Sequence, residues 1–99
     1  MNSKRKPDKS ICQEADEIVG GQRRCDYGPP TANFLTTANA FNALTGHKLT
    51  PQDVAIFMIV LKLARQVHTP KRDNLVDICG YAKCLDLINQ DALTAPKSK

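Results

Sequence analysis

The sequence predicts an all-α fold: a compact four-helix bundle-like domain that self-associates. Three observations predict it. Four stretches place apolar residues at helical spacing, most of them open or close on a recognisable helix signal, and no stretch has the two-residue alternation of a strand. The 99 residues form at most one domain. A chain of that size buries only about two-thirds of the surface its unfolded form exposes, so its core is thin and association would help it. An up-and-down bundle is the natural arrangement.

The first helix is expected to start at Asp8 or Ser10, either of which can cap it, and to stop at Gly20-Gly21. Ile11, Ala15, Ile18 and Val19 form its apolar stripe, with Glu14, Asp16 and Glu17 outward. A polar linker, Gln22 to Pro30, follows, stiffened by Pro29-Pro30. The second helix should run from about Thr31 to Thr45, bury Phe34, Leu35, Ala38, Phe41 and Leu44, and close on Gly46. Thr50-Pro51-Gln52-Asp53 opens the third, with a threonine cap, proline at the first position and an acid at the third. That helix extends to about Val67 and is apolar all round from Val54 to Leu61, a pattern that needs cover on every side, inside a bundle or across a subunit interface. The fourth should run from near Asp73 to near Asn89, with Leu75, Ile78, Cys79, Ala82 and Leu85 as its core stripe; Asp73, Asp77, Tyr81 and Cys84 follow one another along its other side. Residues 1–9 then read as a basic disordered tail, 10–90 as the helical domain and 91–99 as a C-terminal tail.

The net charge of +4 suggests a polyanion partner until its location is checked. The two tails carry +5 and the body from Ser10 to Pro96 carries −1. The excess therefore argues for solvated ends and against a dedicated DNA or RNA surface. No run approaches the roughly 20 apolar residues of a membrane span, and the basic start lacks the apolar segment of a secretory signal. The expected location is therefore cytoplasmic. Cys12, Cys25, Cys79 and Cys84 include no C-x-x-C pair, and a zinc site would have to combine His47 or His68 with scattered thiols. They read as reduced thiols, with Cys79 as core.

Three clusters could carry chemistry. Asp26, Tyr27, Gly28, Pro29, Pro30 and Asn33 form a stiffened loop, from which a tyrosine could stack on a base and an asparagine could read its edge; an ordinary interhelical turn explains them equally well. Met58, Lys62 and Arg65 share a face of the third helix, and Lys71 and Arg72 lie at the start of the fourth, where basic groups beside free N–H donors suit phosphate. Arg65 could instead complement the helix end. Asp73 and Asp77, with Glu14 and Glu17 as partners, could hold Mg²⁺. The alternative, favoured here, is that Asp73 caps the fourth helix while Asp77 pairs with Lys62 or Arg65, because a charge at the edge of an apolar face needs a partner.

Three ordered segments carry a resemblance: Asp26-Tyr27-Gly28-x-Pro30-x-x-Asn33-Phe34, Thr50-Pro51-x-Asp53-Val54-Ala55 leading to Leu61-Lys62-Leu63-Ala64-Arg65, and Arg72-Asp73-x-Leu75-Val76-Asp77-Ile78-x-Gly80-Tyr81-Ala82. Over about Ser10 to Ile88 the chain resembles a small helical domain of unknown function common in tailed bacteriophages, with Pro29 where that family often has histidine. More distantly, Asn74-x-x-Asp77 with Gly80-Tyr81 looks like the closing helix of the MazG-like all-α nucleoside-triphosphate pyrophosphohydrolases. Their E-E-x-x-E and E-x-x-D metal motifs have as counterparts Gln13-Glu14-x-x-Glu17 and Asn74-x-x-Asp77, each with an amide in place of one carboxylate. The resemblance implies a phage accessory protein, in the cytoplasm of an infected host, that binds a nucleotide without turning it over and needs no cofactor. A cyclic nucleotide immune signal, sequestered by an anti-defence sponge, is a candidate ligand. Tyr27, Asn33, Lys62, Arg65, Lys71, Arg72, Asp77 and Tyr81 are then the binding residues. The competing expectations are a Mg²⁺-dependent pyrophosphohydrolase using Glu14, Glu17, Asp73 and Asp77, and a protein-interaction module docking through the apolar helix.

Overall fold

The computed structural model describes residues 8–21 and 28–94. The expectations for the basic segment before Asp8, for Arg23 to Tyr27 and for the residues after Thr94 fall outside it. Among the described residues there are four helices and no strand: α1 (Ile11–Gly20), α2 (Pro30–Thr45), α3 (Pro51–His68) and α4 (Arg72–Thr94).

The local signals act as their chemistry requires. Ser10 caps α1 in a reciprocal box: its hydroxyl accepts from the Gln13 amide at 3.0 Å, and Gln13 Oε1 accepts from the Ser10 amide at 2.8 Å. Thr50 and Asp53 repeat the device at α3, at 3.1 and 2.9 Å. Helix α2 starts one residue before the expected Thr31, because Pro30 occupies its first turn with φ already helical. Gly46 closes α2 in the left-handed region at φ 79°, its amide bonded to the Asn42 carbonyl at 2.8 Å. The Asn42 side chain then clamps the loop beyond, donating to the Leu49 carbonyl at 3.0 Å and accepting from the Leu49 amide at 2.8 Å.

Helix α4 is the hub. It packs along α1, α2 and α3, whereas α1 lies close only to α4 and α2 also touches α3. The contacts give the directions. Cys12 meets Cys79 and Asp16 meets Lys83, so α1 and α4 advance together and are parallel. Lys62 meets Asp77 and Gln66 meets Asn74, so α3 and α4 are antiparallel. An up-and-down bundle would make α1 and α4 antiparallel, and the described helices depart from it in this.

The core is small: Val19, Phe34, Ala55, Cys84 and Ile88, flanked by Val54, Tyr81, Leu85 and Leu87. Two expected stripes are displaced, and the expected enclosure of α3 is not met. On α2 the buried residues are Pro30, Phe34 and Ala38, while Leu35, Phe41 and Leu44 stand open. On α4 the buried line is Val76, Cys84 and Ile88, with Asn74 at its start; Leu75 and Ala82 are exposed. The expected core stripe is thus rotated toward the side that carries Asp77 and Tyr81, because α4 has helices on more than one side. On α3 only Ala55 is fully buried, so the described residues do not enclose this helix. Finally, α4 continues past Asn89 to Thr94, and the Asp91 carboxylate there accepts from the Thr31 hydroxyl of α2.

Candidate functional site

Most of the charged candidates gather around the N-terminal half of α4. Lys62 reaches across from α3 to Asp77, with Nζ 2.9 Å from Oδ2. The Lys62 side chain is only 15% exposed and that of Asp77 34%. This is the pairing expected from the sequence: an ammonium in an apolar run takes the nearest carboxylate, since leaving either ion unpaired would cost the dehydration of a charge. On the other flank, the Arg72 guanidinium bonds Glu14 Oε1 of α1 at 2.5 Å and the Lys9 carbonyl at 2.9 Å. Outside these, Lys9 pairs with Glu17 and Lys83 with Asp16, both toward solvent. The Glu17 carboxylate, as hydrogen-bond acceptor and counter-charge, raises the Lys9 ammonium above its ordinary value.

At the corner where α3 hands over to α4, a shallow open groove of about 490 Å³ is lined by Ala64, Arg65, His68, Thr69, Lys71 and Asn74. Arg65, His68 and Lys71 are exposed there and form no ion pair among the described residues. The corner is held by a polar network centred on Asn74, which is 92% buried by its 8% exposure. Asn74 Nδ2 donates to Gln66 Oε1 at 3.1 Å and to the Thr69 carbonyl at 3.4 Å, and Gln66 Oε1 also accepts from the Lys71 amide at 2.9 Å. An amide at position 74 thus ties the end of α3 to the first turn of α4, a structural use that its place in a degenerate metal motif did not suggest.

The other predicted residues scatter. Tyr81 is half-buried and packs against Phe34, ring centroids 6.2 Å apart and tilted by 44°. It lines, with Asp77, a cavity of only about 20 Å³ between α1 and α4, room for one water. Asn33 lies on the turn of α2 whose Thr31 bonds Asp91, toward the far end of α4 from Lys71. The helix between Lys71 and Asp91 is roughly 30 Å long, so Asn33 and the groove do not share one small ligand. Tyr27 lies outside the described residues. Asp73 sits within the first turn of α4, one residue inside Arg72, instead of capping it.

The carboxylates proposed for Mg²⁺ do not assemble. Glu14, Glu17 and Asp77 each face a basic side chain, and no group of three or more His, Cys, Asp or Glu could hold a metal among the described residues. An ion needs that negative charge uncompensated, so this arrangement does not fit the metal.

A family model described as a domain of unknown function (DUF6378) matches residues 10–89. The chain belongs to that family. Two relatives are phage proteins: the Gene 55 protein of Mycobacterium phage L5, 43% identical over 79 residues, and the Gene 55 protein of Mycobacterium phage D29, 36% identical over 84 residues. The matches cover 78% and 84% of this chain but 51% and 56% of those proteins, so the DUF6378 chain spans about half the length of these relatives. No solved structure matches it. Among the described residues no helix is long and apolar enough to cross a membrane.

Two features of the DUF6378 chain lay outside the sequence reading. Cys79 is not core: its Sγ lies 3.4 Å from Cys12 Sγ on α1, while Cys84 takes the buried place. Partial burial, and then the contact with Cys12, push the Cys79 thiol above its ordinary value. The parallel packing of α1 on α4 brings the two thiols together, and no local spacing signals that.

Proposed function

We propose that this DUF6378 chain is a phage accessory protein, acting in the cytoplasm of an infected host, that binds the phosphates of a nucleotide and does not hydrolyse it. One observation carries the reading. The basic residues of the site divide into two sets: Lys62 and Arg72 are neutralised by Asp77 and Glu14, while Arg65, His68 and Lys71 line the open groove and form no ion pair among the described residues. Cations converging beside the first turn of a long helix suit an oxyanion. Lys62 and Arg72 then act as positioning residues that hold α3 and α1 against α4, a narrower role than direct phosphate contact. With Glu14, Glu17 and Asp77 all neutralised, binding fits the charge distribution better than metal-assisted hydrolysis. A cyclic dinucleotide signal, sequestered from host immunity, is the candidate ligand, its two phosphates offering the negative charge that suits Arg65 and Lys71.

Isothermal titration of the chain against cyclic and linear nucleotides tests this. The expectation is binding by at least one of them, weakened about tenfold or more by Arg65→Ala or Lys71→Ala, since a charge-assisted hydrogen bond is worth about 1.5–3 kcal/mol. It should also weaken as salt is raised. Flat titrations across the panel end the proposal, and so would binding that ignores both substitutions.

A further inference from the structure

The apolar surface of α3 turns outward as a continuous strip. Ile56, Phe57, Val60, Leu63 and Val67 are 48%, 63%, 55%, 48% and 85% exposed. Four of them, Ile56, Val60, Leu63 and Val67, follow the four-three-four spacing of a helix-pairing seam and fall within about 60° of arc at 100° per residue. Phe57 and Ala64 widen the strip on one side. Scaled to whole side chains, these exposures leave on the order of 500 Å² of apolar surface, near the upper end of the largest patch a monomer carries. That is more than half of the ~800 Å² each partner gives to a standard interface. The inner face of the same helix contributes only one fully buried residue, Ala55, and no large side chain among the described residues is completely buried.

We infer that the occupant of this strip is a second copy of the chain, packed α3 against α3 in antiparallel register about a two-fold axis near Leu61. The charges at the ends of the helix select that partner and that direction. The N-terminal end presents the exposed acid Asp53 on the flank of the strip, and the exposed base Lys71 lies just beyond the C-terminal end. An antiparallel copy sets each acidic end against the other's basic end and opposes the two helix dipoles; a parallel copy sets like against like. In a two-fold interface each residue meets its mirror position, so Val60 faces Leu63 of the second copy and Ile56 faces Val67. The inference does not rest on nucleotide binding, although Lys71 also lines the groove proposed for it. A dimer that binds no nucleotide upholds it, and a monomer that binds one overturns it.

The experiment is the solution mass of the full chain by light scattering on a sizing column, over micromolar to high-micromolar concentrations. The expected mass is twice the 10.9 kDa of the chain. Val60→Glu and, separately, Leu63→Glu should halve it while far-UV circular dichroism keeps the wild-type helicity, because both side chains are already half in solvent. Asp53→Lys should weaken the dimer at low salt, and adding Lys71→Glu should restore it. A wild-type chain that stays monomeric throughout overturns the proposal, as does a dimer unmoved by both glutamates. If helicity falls with the mass, Val60→Ser serves in place of the glutamate, and a dimer as tight as wild type with that change also overturns it.

Discussion

Removing one member of the Lys62–Asp77 pair is the most informative perturbation of the fold. At 2.9 Å the two charges attract by about 6 kcal/mol gross for an effective dielectric of about 20. Dehydrating both ions cancels most of that. Exposed pairs are worth about 0.2–1 kcal/mol net, whereas breaking a fully buried one costs about 3–5 kcal/mol because a charge is left without compensation. With side chains 15% and 34% exposed, this pair lies between those limits. Asp77→Asn strands the more buried partner and should cost about 2 kcal/mol. Lys62→Met strands the carboxylate, which can still reach water, and should cost about 1 kcal/mol. The double variant should cost less than the sum, with a coupling of about 1–1.5 kcal/mol. The assay is urea unfolding followed by circular dichroism, at one fixed protein concentration because self-association raises apparent stability. For a domain of this size 1 kcal/mol moves the Tm by about 4–8 °C, so Asp77→Asn should lower it by roughly 10 °C. Costs that add to within about 0.3–0.5 kcal/mol refute the claim that this contact fastens α3 to α4.

Further outcomes follow from other contacts in the same structure. Asn42→Ala removes both bonds that hold Leu49 and should cost about 2 kcal/mol by unfolding, at about 1 kcal/mol per hydrogen bond. Gly46→Ala forces a side chain into the left-handed region at φ 79° and should destabilise by about 1 kcal/mol. Gly80→Ala should instead stabilise by a similar amount, since its new methyl would meet Val19 Cγ2 at an ordinary 3.5 Å within a helix. Mild oxidation with a small disulfide should join Cys12 to Cys79 within one chain, read by mass as the loss of two hydrogens and abolished by Cys12→Ser. Because burial raises the Cys79 thiol above its ordinary value, alkylation at neutral pH should favour Cys12. The sign for stability follows: the folded chain holds the Cys79 proton more tightly than the unfolded one, so this contribution is complete below the ordinary thiol range and is lost as pH rises above it.

What could be read from the sequence was what neighbouring residues decide. The Thr50-Pro51-Gln52-Asp53 start and the Gly46 stop are local chemistry, satisfied within a few residues, and the structure shows both. The Lys62–Asp77 contact was legible because an ammonium inside an apolar run has few ways to be stabilised. Which face each helix buries was less legible. Leu35, Phe41 and Leu44 sit at helical spacing on α2 yet remain exposed, because the direction of burial is set by partners distant in the chain. The same cause displaced the α4 stripe, and the basic cluster divided because Glu14, carried in by α1, claims Arg72. Uniform apolarity of α3 indicated a need for cover but not its source, and the monomer leaves that need visible.

The parallel docking of α1 on α4 bears on how the chain acquires its shape during synthesis. Helix α1 leaves the ribosome well before its native surface on α4, some 67 positions later, as Cys12 and Cys79 mark. Until α4 emerges, α1 lacks the helix it packs on and Lys62 of α3 lacks its counter-ion at Asp77. Long sequence separation slows such docking and leaves apolar surface open meanwhile. Termination before α4 would therefore deprive the other three described helices of their shared anchor at once, leaving an unfolded product in place of a shortened domain.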